Sequence, residues 1–278
     1  MSAPAPTMIS INTLCLAPGP LGTHVETVAR IGAAAIAPVC EDVESVGGAM
    51  AARLLRDAGI KVATLTHRAF GFATPDVAAA GRERLKKTID LAHAIGAPSV
   101  CLTTGDRGPL TWKAAAARFA QEIAPCAAYA RTAGVALGLE PTTHLYADIS
   151  IAHRLSDTVA LARAAGISVG IDIFPCWVDS DLEEAIGAGG PICAIVQVSD
   201  YVPGDRAIPC RAVPGDGAIP LDYIVSLILA TGYRGPFDLE IIGPRLIAEG
   251  REAGLRRAMD RLGAAIARAV PFAVSGPT

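Results

Sequence analysis

Apolar and polar positions along the chain repeat in a two-part pattern. Short runs rich in Val, Ile and Leu occur eight times, at Met8–Leu14, Ala33–Val39, Lys61–Thr66, Ser99–Thr104, Val135–Glu140, Ser168–Phe174, Ala194–Ser199 and Phe237–Ile242. Each is short and nearly continuous in its apolar character, as expected of a strand buried on both faces. Longer stretches between them carry apolar residues at helical spacing. Arg82 to Ile95 places them at 85, 89, 91, 92 and 95, with polar residues between. Trp112 to Thr132, Ile151 to Ala165 and Leu221 to Thr231 follow the same pattern, and Arg245 to Val270 predicts a long C-terminal helical region. Helix exits are marked by Gly59, Gly96, Gly134, Gly166 and Gly232, each just before the next apolar run. A left-handed cap costs glycine least.

Eight strand–helix units of about 35 residues account for the 278-residue length. The predicted fold class is therefore α/β, a single (β/α)8 TIM barrel spanning 1–278, with 1–7 as a flexible tail. No shift in composition divides the chain. A doubly wound open sheet is the competing architecture. It expects a glycine-rich phosphate turn after the first strand, where this chain has Leu16-Ala17-Pro18-Gly19-Pro20. There is no Walker sequence either.

Composition narrows the setting. Mean hydropathy is +0.41, yet the apolar stretch Ile31 to Cys40 is broken by Gly32 and Pro38 and ended by Glu41. A membrane span needs roughly 20 residues, so none is expected. The N-terminal Met1-Ser2-Ala3-Pro4-Ala5-Pro6 lacks the basic start of a signal peptide. A net charge of −3 offers no basic field for nucleic acid. Seven cysteines, an odd number with no Cys-x-x-Cys pair, fit reduced, buried thiols in a cytoplasmic protein. Cys176 stands apart, in a segment expected at the functional face.

In such a barrel, residues at the C-terminal ends of strands face the active site. The last four strands read Val135 to Glu140, Val169 to Asp172, Ala194 to Gln197 and Phe237 to Glu240. Each ends on an oxygen-bearing side chain. Three carboxylates brought together in a barrel mouth need a compensating cation. With the amide of Gln197 they predict an all-oxygen site for one divalent metal. Mn²⁺ is the first choice, then Mg²⁺, with Co²⁺ or Zn²⁺ as alternatives. Asp238 shares the face of Glu240, as a supporting group or half of an ion pair.

Further polar residues are expected around this mouth. His144, in the loop after Glu140, can trade protons near neutral pH. His67 ends the third strand and is a candidate for substrate oxygens. Arg211 and Arg245 follow the seventh and eighth strands and offer planar forks to a carboxylate or phosphate. Trp177, with Phe174 and Tyr146, is a candidate pocket wall. Asp200 is read as a substrate ligand or as the group that orients Gln197. His24, His93 and His153 fall in apparent helices and read as structural or solvated. No lysine falls at a strand end, which argues against a Schiff-base aldolase.

The words GLEP, GIDIFPCW, VQVSD, PGDGAIPL and FDLEII, most specific from Val135 to Gly243, resemble the xylose isomerase-like TIM-barrel superfamily. Sugar phosphate isomerases and epimerases, inosose dehydratases and bacterial 3-dehydroshikimate dehydratases belong to it. The resemblance implies one divalent metal held by Glu140, Asp172, Gln197 and Glu240, the third position being His in most members. Gln197, and Arg211 ahead of the Pro214-Gly215-Asp216-Gly217 turn, are similar to the 3-dehydroshikimate dehydratases. Pro175 stands where many members carry His.

The resemblance further implies an isomerase or epimerase of a sugar-like hydroxy-carbonyl compound, working through a metal-stabilised enediolate, with Glu140 and Glu240 as acid and base and His144 as a further candidate. A β-eliminating dehydratase is the alternative, and a non-catalytic sugar-binding barrel is a third reading. The superfamily's DNA-repair endonucleases need a histidine-rich multi-zinc site and a basic groove, which five scattered His and a negative charge do not provide. The expected partner is a small sugar- or polyol-derived molecule, with self-association into a homo-oligomer open.

Overall fold

The computed structural model describes residues 8–274, with side chains described through 269. The tail expected at 1–7 lies outside the described residues. Nine parallel strands build the sheet: β1 (Ile9–Asn12), β2 (Ala35–Ala37), β3 (Lys61–Val62), β4 (Leu65–His67), β5 (Ser99–Leu102), β6 (Ala136–Leu139), β7 (Ser168–Asp172), β8 (Cys193–Val198) and, last in the chain, β11 (Phe237–Leu239). Their order is β3-β2-β1-β11-β8-β7-β6-β5-β4, so the first and last strands lie side by side.

The expected third strand is broken into β3 and β4. Its first half pairs with β2 and its second with β5. The Thr66 N–H reaches the Pro38 carbonyl, and Val39 bridges Thr66, so the break sits where the barrel closes. Two of the nine strands are thus halves of one stave, and the eightfold arithmetic holds.

Helices α1 (Leu21–Ile31), α2 (Cys40–Val46), α3 (Gly48–Asp57), α4 (Pro75–Ala94), α5 (Trp112–Ala133), α6 (Leu155–Ala165), α7 (Ile173–Cys176), α8 (Leu182–Gly189), α9 (Leu221–Ala230), α10 (Pro244–Glu249) and α11 (Arg251–Val274) surround the strands. The expected helix at Arg82 begins about two turns earlier, at Pro75. Thr74 caps it, its hydroxyl accepting the Val77 N–H. All five glycines expected at helix exits adopt positive φ, between 65° and 88°. Among the described residues no helix is long and apolar enough to cross a membrane.

The main core fills the layer between strands and helices, where Phe70 and Phe72 both meet Phe119 edge-on. A smaller cluster of Ala63, Cys101 and Ile195 plugs the barrel interior. Gly170 completes that packing. A Cβ there would sit 3.2 Å from Cys101 Sγ and 3.4 Å from Glu140 Cβ, so the missing side chain leaves room for Glu140.

Among the elements the sequence pattern did not mark is a short strand pair that positions the site. β9 (Asp200–Tyr201) and β10 (Arg211–Ala212) form an antiparallel pair in the loop after β8, with Asp200 facing Ala212 and Tyr201 facing Arg211. Two-residue strands carry no detectable periodicity. This pair turns Arg211 back over the barrel mouth.

Candidate active site

The four expected strand ends do gather at one mouth. Asp172 closes β7, Gln197 lies in β8, and Glu140 and Glu240 follow directly on β6 and β11. Asp172, Gln197 and Glu240 are buried, and Glu140 is half-buried. Glu140, Asp172 and Glu240 line a cavity of about 360 Å³, a size typical of small-molecule sites.

A guanidinium lies in their midst. Arg211 Nη1 and Nη2 donate to the two Asp172 oxygens at 3.0 and 2.6 Å, and Nη2 stands 3.3 Å from Glu240 Oε2. The same group lies 4.8 Å above the Phe174 ring. Burial works against the Arg211 charge, but Asp172 and Glu240 outweigh it and hold its pKa above the ordinary value. Among the described residues no three of His, Cys, Asp and Glu converge in metal-binding geometry. The cation between Asp172 and Glu240 in this structure is Arg211.

The surrounding groups still fit a metal. Gln197 Nε2 donates to Glu240 Oε2 at 3.0 Å, while its Oε1 is buried with no partner. A buried orphan acceptor beside three carboxylates is an all-oxygen donor set of the kind hard divalent ions take. Burial first, then the charges of Glu240 and Asp172, raise the Glu140 pKa to about 8, against a hydrogen bond from the Cys101 thiol at 3.2 Å. Burial and Asp172 also raise Glu240, with Arg211 opposing. Asp238 is no ion pair. Ser10 Oγ and Asn12 Nδ2 donate to it at 2.5 and 3.0 Å, and burial raises its pKa to about 8.

The structure brings His67 to the cavity wall but not four other candidates. His144 sits exposed in a 3-10 turn that directs Tyr146 to the carboxylate cavity and His144 to an adjoining groove. Trp177 lines that groove as well, tilted against Tyr201, and Phe174 belongs to both walls. Pro175 also faces the groove. Arg245 is spent on Asp205, which accepts its Nε and Nη2 at 2.7 and 3.0 Å. That pair fastens α10 to the loop carrying Arg211.

Asp200 neither touches Gln197 nor lines the cavity. Its carboxylate accepts the backbone N–H groups of Tyr201, Gly215, Gly217 and Ile219, at 2.7 to 3.0 Å. It is the staple of the Pro-Gly-Asp-Gly turn. Asp200→Ala orphans four donors in one step. We expect a loss of about 3 kcal/mol or more in urea unfolding, with Asp200→Asn losing less because one oxygen remains.

All seven cysteines are free; six are buried and Cys193 is half-buried. Cys176 is no exception. Its thiol donates to the Asp172 carbonyl at 3.0 Å, and burial raises its pKa well above the ordinary thiol range. His24 is structural, held by Asp42 and the Ala17 carbonyl. His153 lies in a loop ahead of α6 rather than in a helix.

Polar residues of the third and fourth staves were missed. Thr66 and Thr103 line the cavity with His67, and both hydroxyls are buried without a partner. Polar residues at the ends of those runs, read as the last four strands were, would have flagged them.

A family model described as xylose isomerase-like TIM barrel matches residues 25–265. The chain belongs to this family. A solved Sinorhizobium meliloti protein is 27% identical, covers 91% of this chain and 96% of its own, and superposes with a TM-score of 0.81. The D-psicose 3-epimerase of Clostridium cellulolyticum, solved with D-tagatose, is 14% identical over 93% of this chain and 99% of its own, with a TM-score of 0.80. The IolI protein, solved with a zinc atom, is 16% identical over 94% of this chain and 98% of its own, with a TM-score of 0.81. No curated protein matches the chain by sequence. At these identities the epimerase and IolI share the barrel with this family member, and the fold alone does not carry their chemistry.

Proposed function

We propose that this protein is a divalent-metal-dependent isomerase or epimerase of a sugar-like hydroxy-carbonyl compound. The carrying observation is the cluster of Glu140, Asp172 and Glu240 around one cavity, with the Gln197 carbonyl oxygen left unpaired beside them. The epimerase and zinc-bound barrels of the same fold support it. Glu140, Asp172, Gln197 and Glu240 are the proposed metal ligands. A bound divalent ion, Mn²⁺ being the first choice, supplies Lewis acidity to adjacent substrate oxygens.

The chain's own groups account for the proton traffic. Glu140 is one acid–base group; without a metal, burial and then the charges of Glu240 and Asp172 raise its pKa to about 8. Glu240 is the second acid–base group. Arg211, which donates to both Asp172 oxygens in this structure, is proposed to leave Asp172 and turn to a substrate oxygen when a cation enters. Phe174 and Tyr146 wall the cavity and restrict water. The same Arg211, placed beside the carboxylates, also suits a β-eliminating dehydratase, in which it meets the departing oxygen.

The test is metal content followed by isotope exchange. Purified protein dialysed against Mn²⁺ is expected to retain about one ion per chain, and Glu240→Gln and Gln197→Leu are expected to lose it. Loaded protein should then exchange carbon-bound hydrogen of a ketose in D₂O. A product isomeric with the substrate, heavier only by the deuterium taken up, marks isomerisation, and loss of water marks the dehydratase. Wild-type protein that retains no divalent ion would sink the proposal.

A further inference from the structure

A second concave surface abuts the carboxylate cavity. It is a groove of about 500 Å³ at the same barrel mouth, and the two share Thr143, Phe174, Ile208 and Cys210. Thr143 and Ile208 are half-buried, so solvent reaches the divide between them. None of Glu140, Asp172, Gln197 and Glu240 lines the groove. It lies beside the proposed chemistry and takes no part in it.

The groove is walled by aromatic rings in series. Phe174, common to both surfaces, meets Tyr201 edge-on with centroids 6.1 Å apart. Tyr201 meets Trp177 at 6.3 Å with a tilt of 36°. The backbone holds these rings in place. The Tyr201 hydroxyl donates to the Asp205 carbonyl at 2.8 Å, and the Trp177 N–H donates to the Ile173 carbonyl at 3.0 Å. A wall fixed in advance spares a ligand the cost of ordering it. Two further side chains of the groove stand in solvent, Leu145 at 56% exposure and Val178 at 66%. They come from different loops, after β6 and after α7. Exposed apolar side chains converging from separate loops on one aromatic wall mark a binding surface.

Most charges at the groove are already paired. Arg154 holds Asp181 at 2.6 Å, Asp205 holds Arg245, and Asp179 accepts the Leu155 N–H at 2.8 Å. Arg206 stands exposed there, where a cation can lie against an aromatic face. What the groove offers a ligand is chiefly apolar and aromatic surface.

We propose that this groove is a subsite for a neutral aromatic substituent on the substrate, packed against Trp177, Leu145 and Val178. The substrate class is then an aryl-substituted sugar-like ketone, not a free sugar. The subsite deepens the proposed function and rests on it, because the hydroxy-carbonyl head of the same molecule lies among the carboxylates. A free sugar leaves the apolar faces wet. A substituent of benzyl size covers them, and burial of a phenyl ring predicts a gain of about tenfold in affinity.

The experiment is isothermal titration of Mg²⁺-loaded protein with the 1-O-benzyl and 6-O-benzyl forms of the four 2-ketohexoses, each beside its O-methyl counterpart. Emission of Trp177, taken as the difference between wild type and Trp177→Phe, is recorded alongside. At least one benzyl form is expected to bind about tenfold more tightly than its methyl counterpart and to change the Trp177 emission. Trp177→Ala should bring the pair to equal affinity while sparing metal binding and the methyl form. Val178→Asp alters an exposed side chain, so it keeps the fold intact, and should also reduce the gain. Equal binding of benzyl and methyl forms by wild type would overturn the subsite and leave the proposed function standing. A gain that survives in both variants would do the same. A dimer in sedimentation that Val178→Asp dissociates, with no benzyl gain, would overturn the subsite by assigning the groove to a second copy of the chain. No saturable binding of any of these ketoses by metal-loaded protein would overturn both readings. Protein that retains no metal is the separate failure of the proposed function, seen before any sugar is added, and the subsite falls with it.

Discussion

Glu140→Gln is expected to reduce ketose hydrogen exchange in D₂O by about 10³-fold or more, the loss of a positioned acid–base group that also holds the metal. The side chain keeps its size and one oxygen, so the loss reports chemistry rather than packing. A stability measurement on metal-free protein isolates the charge. The Glu140 pKa is raised from 4.5 to about 8, by burial first and then by Glu240 and Asp172. Between those values the folded state binds more protons than the unfolded state. Stability is therefore fully present below about pH 4.5 and falls as pH rises towards 8. Asp238 and Glu240 are raised in the same direction, so Glu140→Gln should flatten only part of this slope. Urea unfolding in chelator from pH 5 to 8 reads it directly. An unchanged slope would show that Glu140 is not carrying that proton. A divalent cation in the cluster favours the ionised form and should abolish much of the slope in wild type.

The second large effect is expected at Asp172. Asp172→Asn in metal-free protein should cost about 3–5 kcal/mol, the usual penalty for removing one partner of a buried ion pair. Arg211 meets Asp172 through two hydrogen bonds, and only the 3.3 Å contact to Glu240 remains to balance its charge. Asp172 also accepts the Phe174 N–H at 3.1 Å, which fixes the start of α7. An asparagine oxygen preserves that bond, so the charge dominates the loss. Chemical denaturation of the single variants and of Asp172→Asn with Arg211→Met forms a double-mutant cycle. The double variant should recover a large share of the loss, since no buried guanidinium remains unpaired. Additive losses would mean that the pair is energetically indifferent.

The two effects share a cause. Three carboxylates at one barrel mouth repel each other, and the protein relieves this in different ways. Glu140 takes up a proton, and Arg211 neutralises Asp172. A divalent ion satisfies the same set with one charge centre, and Gln197 supplies an oxygen ready for it.

Much of this was legible in the sequence. Strands buried on both faces and glycine-capped helices repeat with a period that eight barrel staves account for, and the missing phosphate turn set the open sheet aside. The strand-end rule then placed Glu140, Asp172, Gln197 and Glu240 together without coordinates, because residues at equivalent ends of parallel staves converge at one mouth. His67 followed from the same rule. Failures occurred where position depends on a loop. Asp200, Arg245 and His144 lie close in sequence to the site. Asp200 turns to four backbone N–H groups, Arg245 to Asp205, and a single 3-10 turn sends His144 outward. These contacts, from the local turn at His144 to the Arg245–Asp205 pair 40 residues apart, are set by loop geometry, and no local period encodes them.

The sequence by itself thus determined the barrel, its direction and the carboxylate cluster, since these follow from hydrophobic periodicity and from the geometry of parallel strands. Only the tertiary structure decided that Arg211 stands among the carboxylates, that Asp200 is a staple, and that Thr66, His67 and Thr103 share an unpaired polar wall. Each of these depends on which hydrogen-bond partner a side chain finds across the fold, and that choice is made by packing rather than by local sequence.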